Sequence, residues 1–93
     1  MIKMYKYPIN KDRQKLDLPK GSVIHSVENQ YGNVVLYALI NTATEERETY
    51  EIMVYSTGQE FIEEGQEFLG TVNLQGGQLM FHVFYKKLEY STM

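Results

Sequence analysis

Cysteine is absent from the 93 residues, so neither a disulfide framework nor a thiolate zinc site can form, and stability has to come from packing and hydrogen bonds. That usage fits a reducing compartment. Histidine is scarce too: His25 and His82 are the only two, and no H-x-x-x-H or His-plus-carboxylate spacing surrounds either. No metal and no cofactor is expected. Long apolar runs are missing: nothing approaches the ~20 residues of a membrane span, and the start Met1-Ile2-Lys3-Met4-Tyr5-Lys6 is too polar for a signal peptide's apolar stretch. A cytosolic protein with no membrane contact is the expectation.

The usual catalytic patterns are also lacking. No serine sits in a G-x-S-x-G elbow, and the pairs Glu45/Glu46 and Glu63/Glu64 are adjacent in polar segments, where carboxylates seldom have separated pKa values. The chain reads as non-enzymatic. The glycines of Ser56-Thr57-Gly58-Gln59 and Gln75-Gly76-Gly77-Gln78 are not followed by Lys-Ser/Thr at a helix start, so neither segment is a P-loop. A turn at Thr57-Gly58 can still aim backbone N–H groups at an anion, which keeps a small nucleotide ligand among the readings. A net charge of -3 and a pI near 5.3 weigh against nucleic-acid binding, because attraction to the phosphate backbone is its main affinity term.

Charge is instead segregated along the chain. Lys3, Lys6, Lys11, Arg13, Lys15 and Lys20 crowd the first twenty residues, whereas residues 41–70 carry Glu45, Glu46, Glu48, Glu51, Glu60, Glu63, Glu64 and Glu67 against Arg47 alone. The plain reading is two solvated surfaces of opposite sign. The sharper one is an acidic contact face, centred on Glu60, Glu63, Glu64 and Glu67, for a basic partner.

The remaining pattern is of strands. Residues 3–8 alternate and stop at Pro8; 10–15 reads as a polar loop; Leu16 and Leu18 precede a Pro/Gly turn. In 22–30, Val23, His25 and Val27 are expected on one face and Ile24, Ser26 and Glu28 on the other, with Tyr31-Gly32-Asn33 as the turn into a strand over 33–42. Residues 48–57 form another strand, and 58–65 a loop that tucks Phe61 and Ile62 inward, with one helical turn at most. Gly76-Gly77 can take positive φ and closes a final hairpin over 67–87, leaving 88–93 as a frayed tail. No helix-period stripe appears, so the fold class is all-β: a small antiparallel barrel or sandwich of six to seven strands built from hairpins, in a single domain over 1–93. A chain this short buries only somewhat over ~60 % of its unfolded surface, and strands 34–40 and 79–85 are apolar on both faces, so a homodimer or higher oligomer is expected.

Through Leu18-Pro19-Lys20-Gly21-Ser22-Val23-Ile24-His25-Ser26-Val27, Ser56-Thr57-Gly58, and Leu69-Gly70-Thr71 with Gly76-Gly77-Gln78-Leu79-Met80-Phe81-His82-Val83-Phe84, the chain resembles a family of small uncharacterised bacteriophage and prophage proteins grouped as a domain of unknown function. The likeness runs from Tyr5-Lys6-Tyr7 to Tyr85. It implies a phage context, the host-cell cytoplasm as location, and a host protein as partner, with no chemistry attached. The expected function is that of a non-enzymatic binder that sequesters or blocks a host component, such as an inhibitor of host defence. Alternatives are a sponge for a small nucleotide signal, an acidic nucleic-acid mimic, or a minor phage structural subunit. Besides the glutamates, the candidate binding residues are Tyr37, Tyr55, Thr57, Gly58 and His82.

Overall fold

The computed structural model describes residues 1–88. Seven strands follow in order: β1 (Ile2–Pro8), β2 (Arg13–Pro19), β3 (Val23–Gln30), β4 (Asn33–Asn41), β5 (Arg47–Ser56), β6 (Glu67–Leu74) and β7 (Leu79–Leu88). All pairings are antiparallel and build two sheets, β1-β4-β3 and β2-β5-β7-β6, stacked as a sandwich. The molecule measures 43 × 28 × 17 Å, so its two outer faces make up much of its surface. No helix is long and apolar enough to cross a membrane among the described residues.

Period-two alternation supplies the core. From the three-stranded sheet, Ile24, Val34, Leu36, Ala38 and Ile40 point inward; from the four-stranded sheet, Leu18, Tyr50, Ile52, Val54, Val72, Leu74 and Val83 meet them. Burial of this apolar surface is the main stabilising term, at about 25 cal/mol per Å² removed from water. The sheets come closest where β3 faces β6. A Cβ on Gly70 would lie 3.1 Å from Val27 Cγ1, so a side chain here would press Val27 aside and glycine suits the close approach at this seam.

Several expectations are corrected by the backbone. The polar loop is shorter than 10–15, because Arg13, Gln14 and Lys15 already pair with Met53, Ile52 and Glu51. The register of β3 shifts between Ile24 and Ser26, a bulge that brings Ile24 and Val27 to the same core face instead of opposite ones. Leu88 is the last residue of β7, opposite Thr49, and not part of a frayed tail; residues 89–93 of that expected tail lie outside the described residues.

The turns follow the chemistry of positive φ. Tyr31 (φ 53°) and Gly32 (φ 84°) join β3 to β4 as a two-residue loop, with the Gly32 N–H donating to Asn29 Oδ1 at 2.8 Å. Gly76 (64°) and Gly77 (94°) close the final hairpin as expected. Gln75 (51°) joins them in a 3₁₀ turn over Gln75–Gly77, which makes the connection longer than the glycine pair alone.

Candidate functional site

Between β5 and β6, residues 57–66 form no helical turn and do not enter the core between the sheets. They run as a strap over the outer face of the four-stranded sheet, with glycines of positive φ near both ends (Gly58, 85°; Gly65, 80°). Cross-strand register explains what lies beneath. Arg13, Met53, Phe84 and Phe68 form one row across β2, β5, β7 and β6, and Tyr55, His82 and Thr71 form the next.

Phe61 descends from the strap and stacks on Tyr55, with ring centroids 3.9 Å apart and planes 5° from parallel; Phe84 meets both rings, and Phe68 meets Phe84. Ile62, expected inward, is exposed. Met53 is fully buried although it points away from the main core. Tyr55 is 7 % exposed and its hydroxyl is buried without a hydrogen-bond partner among the described residues.

Charge ties the strap down. Arg13 bridges Glu51 at 2.9 Å and Glu64 at 3.2 Å, and Lys86 lies 3.9 Å from Glu64. The hydrogen bond that the guanidinium donates to Glu64 is the largest influence holding it above its ordinary pKa. At the strap's far end, the Tyr85 hydroxyl donates to Glu67 at 2.7 Å; that bond, with burial, pushes the phenol up to about 12.

The sequence candidates therefore separate. Tyr55, Thr57 and His82 come together beside the strap's first turn, where Gly58 sits. His82 is held between two hydroxyls, with Nε2 2.7 Å from Thr57 and Nδ1 2.9 Å from Thr71, each of which can donate to or accept from the ring. Among the described residues no carboxylate backs the imidazole, and both nitrogens are engaged, which suits a structural bridge better than a base. Tyr37 lies elsewhere, on the outer face of the three-stranded sheet.

The acidic segment is less concentrated in space than in sequence. Because β2 pairs antiparallel with β5, basic side chains meet acidic ones: besides the Arg13–Glu51 bridge, Lys20 just after β2 pairs with Glu46 at 3.3 Å, and from the other side of β5 Lys87 of β7 pairs with Glu48 at 3.1 Å. Glu64 and Glu67 have partners within the fold. Glu60 and Glu63 make no ion pair among the described residues. No group of three or more His, Cys, Asp or Glu side chains able to hold a metal ion occurs among them either.

No described residue forms a strap over the other outer face. Across β1, β4 and β3 it carries the rows Met4–Leu39–Val23, Lys6–Tyr37–Ser26 and Pro8–Val35–Glu28, with Ile2 beside them. Ile2 is 68 %, Met4 47 % and Val23 54 % exposed, an apolar patch with half-buried Tyr37 and Leu39 between its edges. Sequence reasoning singled out Tyr37 alone here. The available signal was that strand 33–42 is apolar on both faces while its neighbours supply Met4 and Val23 at matching positions.

No curated protein and no solved structure matches the chain. A domain of unknown function, DUF7352, covers residues 1–92, and the chain belongs to that family.

Proposed function

We propose that this DUF7352 protein is a non-catalytic binding protein that docks a protein partner on the outer face of its β1-β4-β3 sheet and thereby sequesters or blocks it. The observation carrying this reading is the exposed apolar patch of Ile2, Met4 and Val23 around Tyr37 and Leu39. The corresponding face of the other sheet is closed by its own strap. A flat face rich in Met, Tyr and aliphatic side chains suits a protein surface better than a small ligand, which favours a concave site. In the phage context implied by the sequence resemblance, the partner is a host protein. The glutamates 60, 63, 64 and 67 are a weaker contact surface, since Glu64 and Glu67 are already engaged inside the fold.

The test is Val23→Glu, which places a charge in the patch at a position that contributes little to folding. Capture of a specific host protein should fall at least tenfold while the urea midpoint stays unchanged. Unaltered capture would overturn the reading.

A second reading, a sponge for a nucleotide, is favoured by the strap itself. Its Phe61 ring on Tyr55 and its Glu64 carboxylate between Arg13 and Lys86 resemble the flat base and the anion that such a ligand would bring. The ligand would have to displace the strap, and the purified protein would then carry excess absorbance at 260 nm.

A further inference from the structure

We propose that two copies of this chain pair through the open edge of β1, joining their three-stranded sheets into one six-stranded sheet about a two-fold axis at Met4. The inference stands on backbone geometry and does not depend on the docking face proposed above.

Hydrogen-bonded and non-bonded pairs alternate along an antiparallel ladder. At the two ends of the β1–β4 pairing, the Thr42 N–H donates to the Met1 carbonyl and the Ile9 N–H to the Val34 carbonyl, each at 2.9 Å. Lys3, Tyr5 and Tyr7 therefore aim their backbone groups at β4, and Ile2, Met4, Lys6 and Pro8 aim theirs outward. The outward row ends cleanly at Pro8, which has no N–H and whose carbonyl accepts from Gln14 Nε2 at 3.1 Å. Three residues, Ile2, Met4 and Lys6, are left presenting N–H and C=O groups with no partner in the described chain.

The other edges are guarded. β3 and β6 face one another across the seam at Gly70, where Asn29 Nδ2 also donates to the Asn73 carbonyl at 3.0 Å, and both strands are bulged. On β2, the outward backbone positions include the charged Lys15 and Asp17 and end at Pro19. Lysine on β1 would ordinarily be a guard too. Yet the Lys6 ammonium is drawn back across its own sheet to Gln30 Oε1 at 2.6 Å, away from the edge.

The row is self-complementary in one register above others. A two-fold axis perpendicular to the sheet preserves faces only if residues of the same parity oppose each other. Centred on Met4, it sets Met4 against Met4 of the second copy and Ile2 against Lys6 of the second copy, so every outward N–H and C=O of the three residues is paired. Centred on Tyr5, it would put Ile2 against Pro8, which lacks the donor and whose carbonyl is occupied; centred on Lys6, it would set two lysines face to face. The Met4 register also continues the row Val23–Leu39–Met4 into Met4–Leu39–Val23 of the second copy. On the inner side Lys3 opposes Tyr5, a cation over a ring, and no two lysines are directly opposed.

The decisive variant is Met4→Pro. Proline at this position removes an outward N–H and leaves the β1–β4 ladder intact, as Pro8 already does four residues on. Sedimentation across micromolar concentrations should show a dimer for the natural chain and for Met4→Thr, with the dissociation constant raised at least tenfold in Met4→Pro. As a second measurement on the natural chain, the Ile2, Met4 and Lys6 amides should exchange hydrogen slowly at high concentration and quickly on dilution. A monomer at all concentrations, or a dimer indifferent to Met4→Pro with those amides exchanging fast, would overturn the proposal. Val23→Glu, which tests the docking face, lies away from this edge, so failure of one idea leaves the other readable.

Discussion

Met53 and Met4 occupy equivalent places on the two sheets, both on the outer face in a row that crosses every strand, yet Met53 is fully buried and Met4 is 47 % exposed. The difference comes from ten residues. The four-stranded sheet is followed on its outer side by a segment long enough to return across it, carrying a ring for Tyr55 and a carboxylate for Arg13. Among the described residues the three-stranded sheet has only short connections and no such return. A strand apolar on both faces creates two surfaces in need of cover, and here the described chain covers one and leaves the other exposed.

The comparison is broken most directly by truncating both methionines. Met53→Ala should cost about 2–4 kcal/mol, as for a core methionine, because it leaves a cavity beneath the strap. Met4→Ala should stay within about 0.5 kcal/mol in dilute solution. Urea midpoints read both, and equal losses would show that the two faces are not energetically distinct.

A smaller effect isolates the strap. Phe61→Ala removes one ring of the Tyr55 stack while leaving β5, β7 and the main core untouched. With Phe61 44 % exposed, the loss should be about 1–2 kcal/mol, the ring contact plus part of the side chain's burial. It should come with increased dye binding to exposed apolar surface. No increase would mean that the strap is held by the Arg13 and Lys86 ion pairs alone.

The smallest effect is on the strap's anchorage at Glu67. Tyr85 is raised from 10.0 to about 12 by its hydrogen bond to Glu67, then by burial, so between those pH values the folded form keeps a proton that the unfolded chain has released. The stability from this bond is complete below pH 10 and is lost as pH rises towards about 12. Unfolding midpoints should decline over that window, and Tyr85→Phe should flatten the decline. An identical slope in the variant would assign it to Tyr7 and Tyr50, whose pKa values burial also raises.

What the sequence by itself determined is what local alternation and turn chemistry carry. The all-β class, the hairpin at Tyr31-Gly32 and the closing turn at Gly76-Gly77 are legible because side-chain period and positive φ are properties of neighbouring residues, whereas strand 33–42 is apolar on both faces and its pattern does not say which face is the core. Tertiary structure alone decided the rest. Arg13 read as loop because its pairing partner, Met53, is forty residues away. The charge segregation along the chain disappears where β2 lies against β5, since an antiparallel pairing between distant segments sets basic beside acidic side chains. The bulge at His25 moves Val27 onto the face of Ile24 through one unpaired residue that no composition records. The site divided for the same reason: Tyr37 and Tyr55 both read as strand tyrosines, and only the order of strands in two separate sheets placed one under a strap and the other on an open face.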